Sequence, residues 1–115
     1  MTDKNLYLGE FEEIVLLAVA RLGSSAYGVT IRQTVEDVAG RSTSIGAIYS
    51  TLDRLEQKGM VSSWLGEATP QRGGRAKRYF KLEAVGQLAL DEAQHIRDRL
   101  RSGLTPDLQP VGGVA

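Results

Sequence analysis

With 115 residues, 42% of them apolar and 24% charged, and with 14 basic side chains offsetting 14 acidic ones, the chain has the make-up of one globular domain with a modest core. It has no cysteine, which rules out disulfides, thiolate metal ligands, a thiol nucleophile and a thiol redox switch. The longest apolar run, "IVLLAVA" at 14–20, is too short to span a bilayer, and the flank before it is acidic (Glu10, Glu12, Glu13) where a signal peptide is basic, so a cytoplasmic protein with no membrane segment is expected.

A leader with Leu6, Tyr7 and Leu8 precedes the first predicted helix, Glu10 to Leu22, whose period turns Phe11, Ile14, Val15, Ala18 and Leu22 inward. The glycines and serines of "GSSAYG" at 23–28 break it. A second helix is predicted from Val29 to Val38 with Ile31, Val35 and Val38 inward. The turn "AGRSTS" at 39–44 then offers Ser42, Thr43 or Ser44 as a hydroxyl cap. The third helix lies in "SIGAIYSTLDRLEQKGMV", with Ile45, Ile48, Leu52 and Leu55 on its apolar side. Lys58 suits its negative end, and Gly59 suits the left-handed position that follows a helix.

Past that helix the period changes. "MVSSWL" at 60–65 and "KRYFKL" at 77–82 read as two strands of a hairpin, joined by the Gly-rich, basic "GEATPQRGGRA". From Glu83 the helical period returns, and Leu88 or Ala89, then Ala93, Ile96, Leu100 and Leu104, form a near-heptad seam. The prolines and glycines after Ser102 predict a disordered tail. The expected organisation is therefore a domain of three helices and a hairpin over residues 1–82, a separate helix carrying the seam over 83–103 and a tail over 104–115.

Two features point to DNA. Residues 68–82 hold Arg72, Arg75, Lys77, Arg78 and Lys81 and no acid, a local positive patch that the zero net charge conceals. The outer side of the third helix carries Gly46, Ala47, Ser50, Asp53 and Arg54, where most surface helices carry Lys and Glu. Small residues let a backbone approach base edges closely, a hydroxyl can donate or accept there, and Arg54 can reach a phosphate or a guanine. Three helices, a hairpin and one long helix, in that order, give a mainly α fold with a small β-hairpin (α+β). That is a winged helix-turn-helix with a C-terminal dimerisation helix.

The chain resembles the PadR-like transcriptional regulators. The resemblance rests on Ile48–Tyr49, Leu52, Leu55–Glu56 and Gly59 in the third helix, and on Gly74–Arg75, Lys77–Arg78–Tyr79 and Leu82 in the wing. "EAVGQLAL" with Gly86 and the pair Tyr27–Gly28 add to it. The wing is longer than the family's short turn because "GEATPQ" precedes the glycine pair, and one helix follows it, as in the shorter members. The resemblance implies a homodimeric repressor of a pseudo-palindromic double-stranded operator, with no cofactor, and released either by a small aromatic effector near Trp64 or the dimer seam or by no ligand at all. On this reading Ser44, Gly46, Ala47, Tyr49, Ser50 and Arg54 face DNA from the third helix. Arg72, Gly74, Arg75, Lys77 and Arg78 face it from the wing. Leu6, Leu8, Ala89, Ala93, Ile96 and Leu100 hold the dimer.

Blander readings stand beside these. Tyr49 can seal the core edge instead of holding a phosphate, the wing cations can be a solvated face, and Trp64 fits packing better than an effector site. Asp91 and His95 sit one helical turn apart, but two ligands on one helix make a weak metal signal. With one His and no convergent acid–base set, no enzyme is expected. The rival function is a winged-helix module that binds protein; such a surface should show exposed aromatics or Leu, and the outer Gly46, Ala47 and Ser50 of the third helix offer none.

Overall fold

A computed structural model describes residues 6–66 and 76–104. The elements are α1 (Glu10–Leu22), a short 3-10 turn (Gly23–Ser25), α2 (Gly28–Ala39), α3 (Ile45–Gln57), β1 (Val61–Leu65), β2 (Arg78–Leu82) and α4 (Ala84–Ser102). Arg72, Gly74, Arg75 and the tail from residue 105 onward lie outside the described residues.

Local chemistry sets the helix limits. At the start of α1 the Gly9 N–H donates to Glu12 at 2.9 Å, and the acids Glu10, Glu12 and Glu13 face the positive end of the helix dipole. Ser44 caps α3 by accepting from the Ala47 N–H at 3.0 Å. Three glycines take positive φ where helices end: Gly23, Gly40 and Gly59. At Gly59 the turn returns the Met60 N–H to the Leu55 carbonyl at 2.9 Å, which aims the chain into β1.

The three helices wrap a core of Val15, Leu16, Val19, Ile31, Val35, Ile48, Leu52 and Leu55, closed from below by Met60, Val61 and Phe80. The strands pair antiparallel with Val61 opposite Leu82 and Trp64 opposite Tyr79. A bridge from Tyr27 to Tyr79 and a bond from the Phe80 N–H to the Ala26 carbonyl at 2.9 Å tie β2 to the entrance of α2. The helix α4 leaves the sheet at once. The Glu83 N–H donates to the Met60 carbonyl at 2.9 Å, and Gly86 sits so close to that carbonyl that a Cβ would collide with it.

Some expected inward positions move. Leu16 and Val19 are buried, while Val38 is exposed, because α1 covers only the side of α2 that carries Ile31 and Val35. In α4 the buried residues are Gly86, Ala89 and Leu90. Ala89 belongs to the chain's own core and is therefore removed from the expected dimer seam. Leu6 and Leu8 also pack, half-buried, against that core.

Candidate nucleic-acid interface

The core stripe of α3 is fully buried at Ile48, Leu52 and Leu55, which turns the other side of the helix out. Its exposed residues are Gly46, Ser50, Asp53, Arg54 and Gln57. Ser50 donates to the Gly46 carbonyl at 3.0 Å, which leaves its oxygen lone pairs facing outward. A Cβ on Gly46 would meet only Ser44 Oγ, at an ordinary 3.9 Å, and its φ is not positive. Nothing among the described residues requires glycine at this second position of α3.

Tyr49 points along α3 toward α2 and lies half-buried, its ring 6.4 Å from that of Phe80. Its hydroxyl rests directly on Gly28, where any side chain would displace it. The tyrosine therefore both seals the core edge and holds its hydroxyl at the first residue of α2.

Arg54 is half exposed but drawn back. It donates to Thr51 Oγ1 at 3.1 Å and approaches Glu12 at 3.5 Å. Glu12 is the buried acid among the described residues, held also by Lys58 at 2.9 Å, and Lys58 in turn donates to the Tyr7 carbonyl. Burial pushes the Glu12 carboxyl up; the Gly9 N–H and the cations of Lys58 and Arg54 more than offset this and leave it below the ordinary carboxylate value. This carboxylate anchors both ends of the α3 C-terminal turn to α1. Sequence reasoning placed Glu12 only in an acidic cluster, although the Gly9–Glu12 spacing carried a capping signal.

A carboxyl with a lowered folded value stabilises the fold at every pH above its unfolded value, and that contribution is lost as pH falls through the folded value. Glu12→Gln should cost on the order of 1–3 kcal/mol at neutral pH, since it weakens charged hydrogen bonds at a buried site. It should also flatten the acid limb of stability. Urea midpoints measured at pH 7 and then below the carboxylate range check both effects, and midpoints that coincide for the two proteins at both pH values would show that Glu12 carries neither.

On the hairpin, the Lys77 ammonium lies over the Tyr27 ring, 4.1 Å from its centroid. Trp64 stacks on Tyr79 at 5.9 Å with 17° between planes, and Tyr79 meets Tyr27 edge-on at 5.5 Å. Trp64 is thus packed on one face and open on the other. Arg78 turns toward α3 and pairs with Asp53 and Glu56. This contact joins residues far apart in sequence, and no local pattern announces it.

Away from this face, Arg97 of α4 pairs with Glu13 of α1 at 2.8 Å. Beyond that tie Ile96, Leu100 and Leu104 are exposed. An apolar cavity of about 280 Å³ opens between α1 and α2, with Leu17, Ala18, Val35 and Val38 in its wall. Among the described residues, no His, Cys, Asp and Glu side chains gather in threes, and no helix is long and apolar enough to cross a membrane.

Three helices followed by a hairpin, with an outward third helix of small and polar residues, define a winged-helix protein. The sequence profile of the transcriptional regulator PadR-like family matches residues 16–92, and the chain belongs to that family of DNA-binding transcriptional regulators. Among solved structures it is similar to a PadR-like transcription factor from Bacteroides fragilis, with 26% identity, a TM-score of 0.67 and coverage of 80% of this chain and 84% of that one. It also resembles a PadR family transcriptional regulator from Eggerthella lenta (23% identity, TM-score 0.64, covering 82% and 81%). A PadR family regulator from Clostridium difficile follows with 21% identity, a TM-score of 0.61 and coverage of 80% and 92%. No curated protein matches the chain.

Proposed function

We propose that the chain acts as a dimeric repressor whose two copies of α3 enter successive major grooves of a pseudo-palindromic operator. The observation that carries this reading is Gly46. It is an exposed glycine in the first turn of α3, with open space around it among the described residues and no positive φ, so its smallness serves something outside the chain. The outward residues of α3 include no aromatic and no Leu, which disfavours a protein-docking surface.

In this proposal Ser44, Gly46 and Ala47 bring the start of α3 against the DNA, Ser50 and Arg54 read bases, and the Tyr49 hydroxyl holds a phosphate beside the start of α2. On the wing, Arg72, Gly74, Arg75 and Lys77 follow the backbone, with Arg75 in a narrow minor groove. The exposed apolar end of α4 and the uncovered groove between α1 and α2 support pairing of two copies through Ala93, Ile96 and Leu100.

Selection of duplexes from a random-sequence library tests the reading as a whole. The enriched sequences should be inverted repeats with half-sites about one turn, or ~10 bp, apart. Enrichment of a single unrepeated site would contradict the dimeric arrangement, and failure to enrich any sequence would contradict specific binding.

A further inference from the structure

We infer that Arg78 is a positioning residue that fastens the wing to α3 and makes no contact with DNA itself; this rests on the DNA-binding reading above. Every nitrogen of its guanidinium is engaged within the chain. Nη2 donates to Glu56 at 2.6 Å, Nη1 to Asp53 at 3.3 Å and Nε to the Ser63 hydroxyl at 3.2 Å. The Ser63 hydroxyl in turn donates to the Glu56 carboxylate at 2.9 Å. The guanidinium also lies over the buried Phe80 ring, 4.8 Å from its centroid.

One side chain thus gathers β1, β2 and α3. Arg78 is the first residue of β2, where the chain returns from the wing segment, so its anchor sets where that segment leaves the domain. Asp53 and Glu56 lie one turn apart on α3 and are its two acids. The same contact therefore offsets one of the two negative charges that would otherwise face phosphates from the helix in the groove.

The pairs are partly exposed, and such pairs add little to stability. Their value is geometric: a planar fork with several fixed donors can hold acceptors on three elements at once, which a lysine ammonium cannot. Wing contacts and groove contacts reinforce one another only when their spacing is held beforehand.

The test uses the full chain and a duplex that the wild-type protein selects from a random library, with Arg78→Lys, Glu56→Gln and the double variant. Thermal melts confirm folding in each case. A positioning role predicts that each single variant binds about tenfold more weakly and that the double variant is no weaker than the poorer single, because both break one unit. The salt dependence of binding should stay that of the wild type, since no phosphate contact is lost.

A direct phosphate contact predicts the opposite signs. Lysine would then substitute well at 78, and Glu56→Gln would bind more tightly by releasing the arginine and removing an acid. Wild-type affinity in Arg78→Lys, or wild-type or better affinity in Glu56→Gln, overturns the inference while leaving the regulator reading intact. A wild-type chain that selects no duplex overturns the regulator reading instead.

Discussion

Gly46→Glu should abolish sequence-specific DNA binding, weakening it at least about 100-fold, while the melting temperature stays level or rises. The two halves of this expectation come from the same geometry. A side chain at Gly46 meets open space and a normal helical backbone, so the fold accepts it, and at the second residue of α3 a carboxylate faces the positive end of the helix dipole. Against DNA the same carboxylate would be pressed on phosphates and base edges, where like charges cost several kcal/mol. Gel shifts on the selected duplex beside thermal melts read both quantities. A variant that binds as the wild type does would place α3 outside the groove and bring the protein-binding alternative forward.

Ile96→Asp combined with Leu100→Asp should turn a dimer into a monomer. Both residues are exposed in the isolated chain, so two aspartates there disturb none of its own packing, which continues through Gly86, Ala89, Leu90 and the Glu13–Arg97 pair. Burying Ile or Leu in a partner is worth about 1.5–3 kcal/mol per side chain, and a buried aspartate reverses the sign. Losing the second recognition helix should lower operator affinity by roughly 10²–10⁴-fold, the gain that linking two sites provides. Sedimentation at micromolar concentration is the check. A wild-type chain that sediments as a monomer would remove the dimer from the account.

The helices were largely legible because their ends are written in local chemistry. The apolar period places α1 at the bounds it has, the α3 cap is one of the three hydroxyls offered, and Gly59 takes the positive φ expected after α3. Periodicity shows which residues can share a face and leaves open what covers that face. For that reason Val38 reads as inward yet lies in an uncovered groove, and Ala89 reads as a dimer contact yet is covered by its own domain. On the site, the outward small residues of α3 could be seen from spacing alone. The partners of Arg78 could not, because they depend on the hairpin register and on how closely the hairpin approaches α3. Tyr49 shows the same limit: its place on the flank follows from helical geometry, but its contact with Gly28 needs the angle between α2 and α3.

Methylation interference on the selected duplex tests the central claim most directly, because methylating guanine N7 blocks the major groove alone. Two patches of interfering guanines, centred about one helical turn apart and related by the inverted repeat, are the result expected of paired α3 helices. Undiminished binding to a duplex fully methylated at N7 would contradict the claim that α3 reads the major groove.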